Sequence, residues 1–384
     1  MGNTSDFILK NAIEVGKDTK VTLGTITSGT VDLSTGNYFA ETLAADTTYV
    51  FSNPGDVQSF QLEVTGGLGA FDTTSASPTG FSFTPTGGAG PIVIKPDGTK
   101  MYVLDWSAGP VYQYSLTTPW DLTTAVYDSR SFTIPTVTGA AYRGMDINST
   151  GTKLFLLDHN SSITPRILEF PITTAWDIGS TSSSSVSFPL NEIVADGNAP
   201  YGMANSSDNL NFYVMSSSRV LYQYTLPGAA FQISNLSFTR KTSTLSSLQS
   251  FPREFVFKDS GTKIFVSGQS DRIDELSLST AWDVSTISYV GSSASFVADL
   301  GDNNYYGFDV DIATKKAILA CTTTDKLYEV DMATTSTLTW PASVQWPAGA
   351  APITPAAGET DVYTFVTDDG GTTYIGLQTA DNLS

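Results

Sequence analysis

The sequence predicts an all-β chain, a five-bladed β-propeller inserted in a discontinuous antiparallel β-sandwich domain. Three observations carry this reading. One short motif returns five times at intervals of about fifty residues, each copy lies among four strand-like runs, and the strand missing from the last copy is found ahead of the first.

Residues 1–30 come first. Phe7, Ile8, Leu9, Ile13, Val15, Val21, Leu23 and Ile26 alternate weakly and are too few for a core layer. Such a segment is expected to order against a partner, as an attachment or oligomerisation arm. Its start has neither a basic stretch nor a long apolar run, so a secretory signal is not expected. The runs 36–43, 47–52 and 57–65 then alternate in aromatic and β-branched residues, as do 336–346 and 361–377. Neither flank alone supports a good core. Together, 31–69 and 336–384 are expected to make the sandwich, with the propeller of 70–335 inserted between them.

The repeat is clearest at its turn. Gly98-Thr99-Lys100-Met101-Tyr102-Val103 matches Gly151-Thr152-Lys153-Leu154-Phe155-Leu156, and the pattern returns at Asn209, Gly261 and Thr314, at spacings of 53, 58, 52 and 53 residues. A first strand precedes each turn (92–94, 145–147, 255–257, 308–310) and a second follows, the signature of a hairpin. A third strand alternates, as in Val111-Tyr112-Gln113-Tyr114. A Trp-Asp corner then leads to a fourth strand at Trp120-Asp121, Trp176-Asp177 and Trp282-Asp283, with Phe231-Gln232 in the third copy. The corner is expected to pack between neighbouring blades. The fifth copy stops near Met332. Its missing piece is Phe71-Asp72 with Phe83, whose separation of 12 residues equals that of Trp120 and Phe132. An N-terminal strand that completes the last blade closes the ring without a bare sheet edge.

Composition removes several functions. Nineteen basic against thirty-eight acidic residues give a net charge of −19, which phosphate backbones and anionic membrane surfaces repel. No apolar run is long enough to span a bilayer as a helix. With one histidine, His159, and one cysteine, Cys321, neither a Cys/His zinc site nor a disulfide framework can be built. A Ser-His-Asp triad would need His159, which reads as a solvated loop residue. No cofactor is expected. Acidic turns at 302–304 and 367–370 could hold calcium by composition, but solvated turns are the better explanation and no metal is expected.

Five-bladed propellers can host glycosidases with carboxylates on the first strands. Here the central positions are Val93, Asp146, Ala204, Val256 and Asp309, so two of five are acidic, and Glu254 reads as a rim residue. Catalysis is therefore not expected. Binding has more support. Loops entering the first strands align Gly90, Arg143, Tyr201, Arg253 and Tyr306, with Tyr142 and Tyr305 adjacent, and the loops after the second strands bring Trp106, His159, Arg219, Arg272 and Lys326 to the same face. Aromatic faces stack on sugars and arginine grips acidic groups. The expected ligand site is Trp106, Tyr142, Arg143, Tyr201, Arg253, Arg272, Tyr305 and Tyr306. Closure of the tunnel mouth is the plainer alternative.

The flanks also resemble a known family. Val31-Asp32-Leu33-Ser34-Thr35-Gly36-Asn37-Tyr38-Phe39, 47–54, 59–64, Leu338-Thr339-Trp340-Pro341 through Trp346-Pro347 and Thr367-Asp368-Asp369-Gly370-Gly371-Thr372-Thr373-Tyr374 are similar to the β domain of virion structural and tail-fibre-type proteins of marine and cyanobacterial phages. The resemblance implies a virion location, other virion proteins as partners through the arm and sandwich, and multicopy or homo-oligomeric display. It supplies no catalytic residues. The expected function is a virion structural protein whose propeller binds a host-surface glycan. The rivals are a capsid decoration protein without a receptor of its own and an extracellular propeller glycosidase or lectin.

Overall fold

The computed structural model describes residues 21–383 except 44, 107–108, 136–140, 160–163, 227–231, 271, 302–303, 348 and 356–357. Most of the expected arm, Phe231 of the third corner and the acidic residues 302–303 therefore lie outside the described residues. The described chain is all-β with two short helices, Asn191–Ala195 and Val297–Leu300. Among the described residues, no helix is long and apolar enough to cross a membrane. The chain divides into two compact units, Met1–Ala70 with Thr334–Ser384, and Phe71–Ala333.

The discontinuous unit has a five-stranded sheet in the order Tyr38–Thr42, Gln58–Thr65, Thr360–Thr367, Tyr374–Leu383, Val344–Gln345. Period-two alternation buries Phe60, Leu62 and Val64 on one face of Gln58–Thr65. Phe365 lies opposite Phe60 across the antiparallel pair, with the two rings stacked at 5.0 Å. The expectation of an antiparallel assembly is corrected, because Tyr38–Thr42 pairs with Gln61–Thr65 in parallel, and Thr30–Asp32 with Val50–Ser52 likewise. The chain after Thr42 crosses into the smaller sheet before returning at Gln58, which supplies the long crossover that parallel pairing needs. The arm is also shorter than expected. Thr25–Thr27 pairs with Thr30–Asp32, and Ile26 packs on this unit's core.

The Phe71–Ala333 unit contains five four-stranded antiparallel sheets in a propeller-like arrangement. Their first strands are Ile92–Ile94, Tyr142–Ile147, Pro200–Asn205, Pro252–Lys258 and Tyr305–Asp311. The fourth strand of the last sheet is Ser77–Phe83, paired antiparallel with Lys326–Asp331. Second strands such as Lys153–Asp158 are buried on both faces beyond their first residue, because each sheet packs on two neighbours. Tyr102 and Leu104 share a cluster with Leu154 and Leu156, Phe155 and Leu157 with Phe212 and Val214, and Tyr213 and Met215 with Ile264 and Val266. Phe265 then packs with Leu319, and Ile318 with Met101 and Val103, which returns the series to its start.

Polar clasps follow the same cyclic order. A third-strand Gln or Glu from each sheet reaches the corner of the next. Gln113 accepts from Ile178 N at 2.9 Å, Glu169 from Ile233 N at 3.0 Å, Gln223 from Val284 N at 3.5 Å, Glu275 from Thr73 Oγ1 at 2.6 Å and Glu329 from Leu122 N at 3.1 Å. At the corners, Trp120, Trp176 and Trp282 have φ of +62°, +61° and +65°, and each donates its backbone N–H to the turn glycine of its own sheet. The following Asp caps a short 3-10 turn, as Asp121 does for Thr123 N.

Candidate functional site

A shared irregularity builds the site. The pairing of first and second strands skips one residue at Arg143, Tyr201, Arg253 and Tyr306 in sheets two to five. Each is the extra residue of a β-bulge, and a bulge re-aims the side chain that it carries. In the first sheet the equivalent residue is Gly90, where a Cβ would sit 3.0 Å from Trp106 Cβ, so Trp106 fills that place from the neighbouring loop.

The five side chains converge. The Arg143 guanidinium lies 4.4 Å from the Trp106 ring centroid and 5.5 Å from that of Tyr306. That of Arg253 lies 4.1 Å from Tyr201 and 4.7 Å from Tyr306. Trp106 and Tyr306 touch at 4.8 Å between centroids. Such contacts are worth about 0.5–2 kcal/mol each, more where water is excluded. Neither arginine has an ion-pair partner among the described residues, and Nε and Nη1 of both are buried without a hydrogen-bond acceptor. Arg253 is 6% exposed. Two guanidiniums without an ion-pair partner among the described residues, inside a strongly acidic protein, form a local well for an anion.

The structure brings these five side chains together and places the other expected residues elsewhere. Tyr305 is fully buried in the core with Phe265 and Phe308, and Tyr142 packs half-buried against the cluster of Tyr102 and Met145. Both precede the bulge and so face between sheets. Arg272 is spent on Asp274, 3.0 Å from Nε to Oδ1, and on the Ser247 carbonyl. His159 is not a solvated loop residue. It stacks on Tyr201 at 5.4 Å, and burial, then Arg143 and Arg253, hold its imidazole below the ordinary value, hence neutral at pH 7. Asp369 serves its own turn, accepting from Thr367 Oγ1 and Thr373 N.

Beyond the ring, residues of all five first strands line a cavity of about 170 Å³ that contains Asp146, Glu254 and Asp309. Glu254 is therefore no rim residue. It is 2% exposed, at the post-bulge position occupied by Gly144, Gly202 and Gly307 in the other sheets. Burial, reinforced by Asp146 and Asp309, raises its carboxyl well above the usual range against the pull of the Phe255 and Met203 N–H groups. Burial likewise pushes Asp146 up to about 7, with Asp309 adding to the shift and the Asn205 and Ile147 N–H groups and Lys258 opposing it. A carboxyl whose folded pKa is raised contributes its full stability below pH ~4 and loses it as pH rises through ~7. The melting temperature is expected to fall across that window, and Asp146→Asn to flatten the slope. Parallel profiles for parent and variant would show that Asp146 does not titrate there.

No family model and no curated protein matches the sequence. Among solved structures the chain is similar to a luciferin-regenerating enzyme, with a TM-score of 0.44 at 12% identity over 68% of this chain and 96% of that one. It is also similar to a putative 6-phosphogluconolactonase from Bacteroides uniformis, with a TM-score of 0.39 at 11% identity over 86% and 84%. A third likeness is to the β-propeller domain of Cps50 (Swd1) from Myceliophteria thermophila, with a TM-score of 0.40 at 9% identity over 67% and 99%. Likenesses at these scores and identities bring no activity, substrate or partner to this chain.

Proposed function

We propose that the Phe71–Ala333 unit is a closed five-bladed propeller, inserted in a discontinuous β-sandwich, and that it binds an acidic surface saccharide without catalysis. The cyclic order of the core clusters and the five clasps support the closed ring. The observation that carries the binding reading is the Arg143 and Arg253 pair, held among three aromatic rings with no carboxylate partner among the described residues. Arginine forks fit carboxylate geometry, and Trp106, 39% exposed, offers a face for a pyranose. A single site of this kind is expected to bind at millimolar strength. Multicopy display on a phage particle, which the flanking segments' resemblance implies, would raise that by avidity.

The carboxyl trio favours a glycosidase as a second reading, and its surroundings argue against one. Asp146 and Asp309 each have both oxygens held by backbone N–H groups, and Glu254 Oε2 is closed off from water. A catalytic acid and base need free access to the glycosidic oxygen and to water.

The test is retention of polygalacturonate against neutral dextran. The parent protein should bind the acidic polymer alone, and Arg143→Ala, Tyr201→Ala and Arg253→Ala combined should weaken binding at least about 100-fold, given ~1–3 kcal/mol for each anchor. Equal retention by a folded triple variant would mean that the ring merely closes the mouth.

A further inference from the structure

We infer that the cavity at the other end of the first strands is a second site, which takes a primary ammonium group on an apolar stem. It lies on the side of the strand-connecting turns, where Pro96, Ser149 and Ser207 contribute to its wall, whereas the arginine ring stands where the strands begin. It does not depend on the saccharide reading.

The repeat makes the argument. Asp146 and Asp309 occupy equivalent places and make equivalent bonds. Asp146 accepts Ile147 N and Asn205 N, both at 2.7 Å, and Asp309 accepts Val310 N at 2.8 Å and Ile94 N at 3.1 Å. They differ in one respect. Asp309 has a cation, Lys258 Nζ, at 2.8 Å from Oδ1, and that ammonium also lies 5.3 Å from the Trp120 ring centroid. Asp146 has no cation within ion-pair distance among the described residues. Lys258 thus displays the chemistry that this channel accepts, an alkylammonium between a backbone-held carboxylate and an indole. The cavity wall also carries two indoles, Trp176 and Trp282, and its one lining cation among the described residues, Lys258, is paired with Asp309 rather than with Asp146.

A second observation points the same way. Glu254 lines the same cavity, is 2% exposed, and its Oε2 has no hydrogen-bond partner. Oε2 is closed off from water, so an incoming N–H reaches it only when the Glu254 carboxyl turns toward the cavity, and it then recovers the cost of a buried acceptor without a donor. An ammonium has three donors, enough for Asp146 and Glu254 together. The volume, about 170 Å³, holds about five groups at ~30 Å³ each, the size of the n-butylammonium end of a lysine side chain.

Isothermal titration of the full chain with n-butylammonium, and with n-butanol as its uncharged counterpart, tests the site. Saturable binding of the amine and none of the alcohol is expected. Asp146→Asn and Glu254→Gln should each weaken the amine at least tenfold, and the Arg143, Tyr201 and Arg253 triple variant should bind it as the parent does. An unsaturable amine titration, or equal binding of the alcohol, overturns the assignment on the parent protein alone, even if a variant fails to fold. Unchanged affinity in both folded carboxyl variants overturns it as well. Loss of polygalacturonate binding with the amine intact, or the reverse, separates the two sites.

Discussion

Replacing Gly261 with valine is expected to cost about 2–5 kcal/mol, a large part of the ~5–15 kcal/mol by which a domain is stable. Two effects add. Gly261 has φ of +85°, a conformation that a β-branched residue adopts at a cost of roughly 1–2 kcal/mol. A Cβ there would also lie 2.2 Å from Trp282 Cε2, so the indole must leave its seat, at about 1–3 kcal/mol for overpacking. The disturbance spreads, because Trp282 packs on Phe257 at 5.0 Å and its carbonyl accepts the Tyr213 hydroxyl of the preceding sheet at 2.7 Å. Gly197→Ala is the control, since Gly197 has φ of +70° and nothing within 4 Å of the added carbon. It should cost about 1 kcal/mol. Urea denaturation of both variants reads the difference. Equal midpoints would show that Trp282 can leave its glycine at no cost.

Deleting Ser77–Phe83 is expected to lower the melting temperature of the Phe71–Ala333 unit sharply and to open it to association. The deletion exposes the Lys326–Asp331 edge and removes Phe81 and Phe83, which pack against the cluster of Tyr114 and Trp120 in the first sheet. Losing both a sheet edge and an intersheet contact of that size should remove ~4 kcal/mol or more, about 10 °C in melting temperature at ~2–4 °C per kcal/mol. An unpaired edge also recruits other chains, so size-exclusion profiles should shift to dimers and larger species. A peptide of sequence Ser-Pro-Thr-Gly-Phe-Ser-Phe should restore the monomer by strand addition. A deletion variant that melts as the parent does would mean that the pairing contributes little.

Much of this architecture was legible because the repeat is local. Each turn glycine, corner tryptophan and capping aspartate lies within about thirty residues of its partners, and five copies let a weak signal reinforce itself. The ring residues were found by alignment rather than by periodicity. Period-two reasoning fails at the bulge, where Arg253 is skipped in the pairing and Glu254 follows it on the opposite side of a register shift. The same failure sent Tyr142 and Tyr305 to the face when they belong to the core, and Glu254 to the rim when it belongs inside. Arg272 was misjudged because its partner Asp274, two residues away on a strand, reads in sequence as an ordinary alternating polar residue. Parallel pairing in the discontinuous unit was not legible, since alternation gives the face of a strand but not its direction.

The closing pair also fixes a schedule for synthesis. Thr79 bonds to the carbonyl of Glu329, 250 residues later in the chain. At ~5–20 residues per second, a ribosome needs roughly 12–50 s to deliver the second after the first. During that interval the sheets between them can fold on local contacts, one after another, while Ser77–Phe83 waits without a partner. Where ribosomes follow one another on a message, several such strands wait side by side, each able to pair with the Lys326–Asp331 edge of another nascent chain. The early position of the strand that pairs with Lys326–Asp331 therefore makes yield depend on translation speed and crowding on the message, independently of how stable the finished unit is.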